Sequence, residues 1–232
     1  MHTIAVKNGD GLGSGTTPLS IQTPLEPVAS VSQSFAYRSR MRITALFLGL
    51  GLILTAMNRP LAPQSDLAEW GLELMGWIAF VGGAALRVWA ASYICARKSS
   101  EVVSTGPYSV CRNPLYWGTF LMVAAIPCLL RSPVLAVSMI PPILLYLFAV
   151  VPVEEAVMTS RHGSNYALYC QSVSRWWPNI LGYTKGEALG GQTLGYAREW
   201  ARMAWWIGLA IGFDVLFHFS NQSWWMPPLS WW

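Results

Sequence analysis

The residue types that could support chemistry concentrate in two short segments, and the first covers residues 105–118, TGPYSVCRNPLYWG. Its distinctive members are Gly106, Pro107, Tyr108, Arg112, Asn113, Pro114, Tyr116 and Trp117. The Gly-Pro turn brings exposed backbone amides together, and the guanidinium offers a rigid fork that can pair with a carboxylate. The second proline suits the first turn of a helix. Arg112 alone is typical of an ordinary anchor at a helix end, but the whole spacing is more specific than folding requires.

The second segment is the acidic pair Glu154 and Glu155, which follows the fourth long apolar stretch. Two carboxylates at the C-terminal end of a helix oppose the helix dipole, which favours Lys and Arg at that end. If the helix ends at this pair, a cation is therefore the expected partner. The alternative is that the helix continues past the pair and both side chains face water.

Isolated polar residues also occur inside apolar stretches, where ionisable side chains are functional candidates. Arg87 could extend to the polar edge or pair with a carboxylate, and Gly82 and Gly83 before it allow close approach of a helix or a ligand. Asp214 and His218 are four residues apart and share a helix face. We interpret the second pair as a mutual hydrogen bond rather than a metal site or a proton relay.

The elements that must position these residues are strongly apolar. Of the 232 residues, 53% are hydrophobic and 11% are charged, whereas about a quarter are charged in a soluble domain. Thirteen tryptophans point the same way, since indole rings collect at membrane interfaces. A crossing helix needs about 20 apolar residues, and the candidate stretches are 42–58, 69–94, 115–131, 133–152 and 200–220. The sequence predicts an all-α integral membrane bundle of about five transmembrane helices with a cytoplasmic helical extension.

Composition divides the chain into four parts. Residues 1–37 are rich in Gly, Ser, Thr and Pro and predict a disordered tail. Residues 38–180 form the membrane core, in which residues 131–133 leave room only for a tight hairpin and a helix over 154–172 breaks near Gly163. Residues 181–198 are glycine-rich and predict a flexible linker. Residues 199–232 add a further transmembrane helix and a Trp-rich interfacial tail.

The distribution of charge predicts an orientation in the membrane. Basic residues precede the first stretch and occupy the long loops after the second and the fourth, while the other side carries only Arg59 and Arg131. The N-terminus and both loops are therefore expected in the cytoplasm and the C-terminus on the opposite side. The net charge of +4 is too weak to indicate nucleic acid, and membrane lipids are the simpler partner. The four cysteines have no metal-type spacing, so we expect no metal site.

The two segments resemble a known signature. TGPYSVCRNPLYWG resembles the Gly-Pro-Tyr, Arg-His/Asn-Pro, Tyr-x-Gly block of the isoprenylcysteine carboxyl methyltransferase family and its phospholipid N-methyltransferase relatives. EEAVMTSRHGSNYALYCQSVSRWWP resembles that family's second block, and ALRVWAASY is similar to its bacterial branch. The resemblance covers roughly residues 70–178, in the order the family shows. The sequence departs from the pattern at Asn113, where many members have histidine, and at His162, where an aromatic residue usually precedes glycine.

The resemblance implies a methyltransferase that uses S-adenosyl-L-methionine, whose ammonium and sulfonium are cations that an acidic pair would attract. The implied cofactor-binding residues are Gly106, Pro107, Tyr108, Asn113, Pro114, Tyr116, Glu154 and Glu155. The implied catalytic residues are Arg112, Glu155 and Arg175, with Arg175 orienting an acidic acceptor. Substrate contacts are expected from Arg87, Trp117 and Tyr166.

The sequence does not determine the identity of the methyl acceptor. A lipophilic acceptor from the bilayer, isoprenylcysteine-like or another lipid carboxylate, is the first expectation. N-methylation of phosphatidylethanolamine is an alternative within the same class. An alternative of another class is a non-catalytic lipid-binding or transport protein, or a scaffold. The oligomeric state is equally undetermined by the sequence.

Overall fold

The structure, a computed structural model, describes residues 35–57, 66–95, 101–188 and 194–220. Over these ranges the helices are α1 (Phe35–Met57), α2 (Asp66–Ile94), α3 (Pro107–Val110), α4 (Pro114–Leu129), α5 (Pro133–Leu145), α6 (Val151–His162), α7 (Ser164–Ser172) and α8 (Leu194–Ser220). A single 3₁₀ turn, Ile180–Gly182, follows α7. No strand occurs in the described ranges, which confirms the predicted all-α fold.

Two continuous helical segments of the described chain are long and apolar enough to cross a membrane, Trp70–Ile94 and Pro133–His162. Only 33% and 28% of their apolar windows are buried, so most of their apolar side chains face outward, unlike those of a soluble core helix. These segments indicate a membrane protein. The predicted count of about five spans is not confirmed, and α4, with 16 residues, is shorter than the ~20 that a full crossing needs.

The close contact between α2 and α4 forms the centre of the structure. Gly83 and Gly118 face each other, and a Cβ atom built on either would lie 2.6 Å from the carbonyl oxygen of the other. Small residues permit this approach of two helix backbones. The core beside them contains Phe80 of α2, Met122 and Ala125 of α4, and Met203 and Ala210 of α8.

A tight hairpin joins α4 to α5, as residues 131–133 predicted. Arg131 adopts a positive φ of 49°, which reverses the chain within a few residues. The Ser132 hydroxyl then accepts a hydrogen bond from the Leu135 amide at 3.1 Å and so caps the start of α5. The same hydroxyl lies 2.7 Å from that of Thr55, which attaches α1 to the hairpin.

The helix that contains α5 does not end at the acidic pair. It passes through a π-helical turn, Tyr146–Val150, and continues as α6 to His162. Pro152 explains the wide turn, because proline lacks an amide hydrogen and its ring clashes with the carbonyl four residues earlier. Gly163, with a φ of 52°, then separates α6 from α7 where the sequence predicted a break. The argument from a helix end was therefore wrong, and any cation at Glu154 and Glu155 needs another reason.

Several sequence predictions fall on residues outside the described ranges. They include most of the predicted tail (1–34), the Trp-rich end (221–232), and the side chains of Asp214 and His218. The predicted linker covers residues 181–198, but its last residues belong to α8, which begins at Leu194.

Candidate active site

The two chemically distinctive segments meet in the structure. The Tyr116 hydroxyl donates a hydrogen bond to Glu154 Oε2 at 2.9 Å. The Asn113 side-chain amide donates to Glu155 Oε1 at 3.5 Å. All four residues line one cavity. The loop after α2 and the first turn of α4 thus build a common site with α6.

The glycine and the prolines of the first segment have backbone roles. Gly106 adopts a φ of 62°, and a Cβ atom there would collide with the ring of Tyr93. This left-handed conformation favours glycine. Pro107 and Pro114 are the first residues of α3 and α4, where the missing amide hydrogen costs nothing. None of Gly106, Pro107 and Pro114 lines the cavity, so they shape the loop that carries their neighbours.

A largely non-helical segment, residues 173–187, runs along the first segment and is called the strap here. Its backbone hydrogen bonds join Arg112 N to Ser174 O (2.9 Å), Asn179 N to Val110 O (2.9 Å) and Gly106 N to Thr184 O (2.8 Å). The Asn113 side-chain amide also donates to the Arg175 carbonyl at 3.2 Å. These hydrogen bonds fix the loop against the strap.

Glu155 is held by two arginines rather than left available for a ligand. Arg175 Nη2 and Nε lie 2.5 and 2.8 Å from Glu155 Oε2. Arg112 Nε lies 3.4 Å from Glu155 Oε1, close enough for attraction but without hydrogen-bond geometry. Glu155 is only 9% exposed, so the alternative that both acids face water is wrong for this residue. Its negative charge is compensated within the protein.

Glu154 has a different environment from its neighbour. Among the interactions of the described residues it accepts one hydrogen bond, from the neutral Tyr116 phenol, and forms no ion pair. It is partly buried and lines the cavity. A carboxylate in such a place favours a cationic ligand, because an opposite charge nearby stabilises its ionised form.

The cavity has a volume of about 620 Å³, within the range typical of small-molecule sites. Its lining residues are Ile94, Glu101, Val102, Val103, Tyr108, Arg112, Asn113, Leu115, Tyr116, Val153, Glu154, Glu155, Val157, Met158, Arg161, Tyr166 and Tyr169. The Tyr108 hydroxyl is buried without a hydrogen-bond partner among the described residues. Burial raises the pKa of the Tyr108 phenol, so its hydroxyl is a neutral donor at physiological pH. Buried donors of this kind normally have a partner, and a ligand in the cavity would supply one.

The predicted substrate contacts separate in the structure. Tyr166 lines the cavity and packs beside Tyr169, with their ring centroids 5.9 Å apart. Arg87 instead pairs with Glu199 of α8 at 2.6 Å and also contacts Thr119. The Trp117 indole donates to the Trp176 carbonyl at 2.7 Å. Neither Arg87 nor Trp117 is among the cavity-lining residues, so a substrate role for them remains a prediction.

Sequence reasoning missed several lining residues. Arg161 follows Glu154 by two turns of α6, and this periodicity on one helix face could have identified it. Glu101 and Val102 lie in the loop before Gly106, where no periodic signal exists. Tyr169 also lines the cavity, and its hydroxyl supports the loop by donating a hydrogen bond to the Tyr108 carbonyl at 2.7 Å.

Residues 71–165 match the model of the phospholipid methyltransferase family. This range includes α3, α4 and α6, and it contains all of the lining residues except Tyr166 and Tyr169. The match supports a relation to membrane methyltransferases. The narrower assignment to the isoprenylcysteine carboxyl methyltransferases is not confirmed.

Two relatives have names that refer to metal resistance. The nickel-cobalt-cadmium resistance protein NccN of Alcaligenes xylosoxydans xylosoxydans is 25% identical over 203 residues, which cover 86% of this chain and 93% of NccN. The cobalt-zinc-cadmium resistance protein CzcN of Cupriavidus metallidurans is 28% identical over 135 residues, 57% of this chain and 62% of CzcN. In the described ranges no group of three or more His, Cys, Asp or Glu side chains is placed to hold a metal ion. No solved structure matches the chain.

Proposed function

We propose that this protein is a membrane methyltransferase that uses S-adenosylmethionine. The observation that carries the proposal is the cavity between the two segments, in which Glu154 lacks a cationic partner among the described residues. The buried and unpartnered hydroxyl of Tyr108 lines the same cavity. The family match over residues 71–165 supports the reaction class.

The residues of the cavity fit the polar groups of this cofactor. Glu154 offers a carboxylate to the ammonium of the methionine part, and Arg112 offers a guanidinium to its carboxylate. Tyr108 adds a neutral hydroxyl donor. Apolar walls from Ile94, Val103 and Met158 provide a surface for the adenine ring. This assignment differs from the sequence prediction, because Glu155 already has Arg112 and Arg175 as partners.

The protein contributes binding and orientation to such a reaction. When bound, the cofactor supplies an electrophilic methyl group on a sulfonium for an in-line displacement. Glu154 and Arg112 hold the two ends of an amino-acid group, and Glu155 keeps Arg112 and Arg175 in place. No side chain of the site has to act as a covalent nucleophile, since alignment of the reactants is the main requirement. Because the cofactor is supplied from the cytosol, we propose that the cavity lies at the cytoplasmic face of the membrane.

Two classes of acceptor agree with the site. Arg175, whose side chain is partly exposed beside Glu155, favours an acidic lipophilic acceptor such as an isoprenylcysteine or another lipid carboxylate. The family match favours an amine, the headgroup of phosphatidylethanolamine. Incubation of membranes with methyl-labelled cofactor separates the two, because a methyl ester releases the label in mild base and a methylated amine retains it.

The names of the two relatives suggest a physiological setting for this activity. We propose that methylation of a membrane component by this protein contributes to tolerance of cobalt, nickel or cadmium. A strain without the gene would then grow less well in these metals, and the native chain would restore growth where Glu154→Gln would not. Restoration of growth by Glu154→Gln would show that the tolerance does not depend on methyl transfer.

Calorimetric titration with S-adenosylhomocysteine tests the central proposal. The purified chain in detergent micelles or nanodiscs should bind this demethylated product of the cofactor with one site per protein. Glu154→Gln should weaken the binding, while the unfolding temperature reports whether the variant is folded. A folded native chain that gives no binding heat and no shift in unfolding temperature with S-adenosylhomocysteine would overturn the proposal.

A further inference from the structure

The middle of the strap exposes an apolar surface that the site does not use. Residues 176–183, WWPNILGY, are called the tip here. Leu181 is 99% exposed, Trp177 81% and Ile180 77%. Three large apolar side chains this exposed within five residues are unusual on a surface in water, and such a patch marks a contact with another apolar phase or molecule.

The two ends of the tip contact the apolar helices α4 and α2, at residues one to two turns inside the terminus of each helix. The Trp176 ring lies 6.0 Å from that of Phe120, and its carbonyl accepts the Trp117 indole hydrogen. The Tyr183 ring lies 6.2 Å from that of Trp89. At 1.5 Å per residue, Phe120 is about 9 Å from the start of α4 and Trp89 about 8 Å from the end of α2. The tip is therefore held beside the outer turns of these helices rather than beyond them.

The chemistry of the tip matches the boundary of a bilayer. Tryptophan and tyrosine, which it contains together with aliphatic residues, are the residues enriched at membrane interfaces. Lys185 follows it and is exposed, and a cation at this level attracts anionic lipid headgroups. The outward side chains of α2, such as Ile78 and Val81, continue the apolar exterior away from the tip.

From this placement we infer that the tip inserts into the lipid interface and is a membrane-binding element of the strap. Its partner is a lipid surface rather than a second copy of this chain, because its apolar residues are followed by the exposed cation Lys185 and adjoin the apolar exterior of a membrane helix. The inference goes beyond the proposed methyl transfer. It also connects the cavity to the membrane surface, since the strap that carries the tip holds Arg175 against Glu155.

Photo-crosslinking in nanodiscs of phosphatidylcholine and phosphatidylglycerol tests the inference. The full chain carries p-benzoylphenylalanine in place of Leu181, or in place of Trp177 as a second position that preserves an aromatic ring. Asn165, exposed on α7, is the matched control position. After illumination, mass spectrometry distinguishes lipid adducts from adducts between protein chains.

Lipid adducts at positions 181 and 177, and not at 165, are the expected result. Chain-to-chain adducts at 181 and 177 would show that the tip is a protein interface and would overturn the inference. The absence of any adduct at both positions in folded protein would show that the tip faces water, with the same consequence. The readout requires no bound cofactor, so its failure is distinguishable from failure of the proposed function.

Discussion

Arg87 and Glu199 form a buried ion pair that joins α2 to α8. Glu199 Oε1 accepts hydrogen bonds from Arg87 Nε at 2.9 Å and from Arg87 Nη2 at 2.6 Å. Arg202 approaches the other oxygen of the same carboxylate. Because Glu199 lies beyond the residues that match the family model, this pair attaches an additional helix to the part of the chain that contains the cavity.

Replacement of Glu199 by alanine should destabilise the protein strongly. The buried Arg87 would lose its charged partner, and removal of one member of a buried pair costs about 3–5 kcal/mol. The measurement is the unfolding temperature in detergent, followed by circular dichroism. The double variant Arg87→Leu/Glu199→Leu should recover much of the loss, since no charge is then left buried.

Arg202→Ala is the control for the same carboxylate. Its side chain is 54% exposed, and exposed ion pairs contribute about 0–1 kcal/mol. Its unfolding temperature should therefore stay close to that of the native chain. A loss as large as that of Glu199→Ala would assign the stability to the pair with Arg202 instead.

The contact between the two chemical segments was accessible from the sequence. The resemblance implies one cofactor held by residues of both segments, among them Asn113 and Glu155, and the distribution of charge predicts both loops on one side of the membrane. The helix break near Gly163 and the hairpin at residues 131–133 were also accessible, because glycine and proline act through local backbone geometry.

The partners of the charged residues could not be predicted in the same way. Arg87 forms an ion pair with Glu199, which is 112 residues away in the sequence. No local sequence pattern specifies a contact of that separation. The sequence assigned Glu155 to the cofactor, and it gave no sign that the strap places Arg175 in an ion pair with this carboxylate. The continuation of the helix past the acidic pair was one of two alternatives, and the sequence did not reveal the π-helical turn that accommodates Pro152.

The two acids of the pair should differ in their effect on cofactor binding. Glu154→Gln removes the carboxylate without an ion pair among the described residues and should weaken S-adenosylhomocysteine binding by roughly 10- to 100-fold, the range for a lost charged hydrogen bond. Glu155→Gln leaves Arg112 and Arg175 without their shared carboxylate and should mainly lower the unfolding temperature. Calorimetric titration and thermal unfolding of both variants provide the comparison. Stronger loss of binding in a fully folded Glu155→Gln would reverse the two roles.

Removal of the Tyr108 hydroxyl should affect binding more than stability. That hydroxyl has no hydrogen-bond partner among the described residues, so Tyr108→Phe removes no intramolecular bond and should leave the unfolding temperature unchanged or higher. Binding of S-adenosylhomocysteine should weaken several-fold if the ligand is its partner. Tyr169→Phe is the matched control, because it deletes the bond to the Tyr108 carbonyl and should lower stability by about 1 kcal/mol.

The close approach of α2 and α4 should make Gly118 intolerant of a larger residue. In Gly118→Ala the new methyl group would lie 2.6 Å from both the Gly83 carbonyl oxygen and Arg87 Cγ, and overpacking of this kind costs about 1–3 kcal/mol. The strain should also reach the cavity, since Leu115 and Tyr116 lie within one turn before Gly118. Gly82→Ala is the control, because outside its own helix backbone no atom of the described residues lies within 4 Å of the added Cβ. Thermal unfolding of the two variants measures the difference, and equal unfolding temperatures would show that the helices separate more easily than their contact suggests.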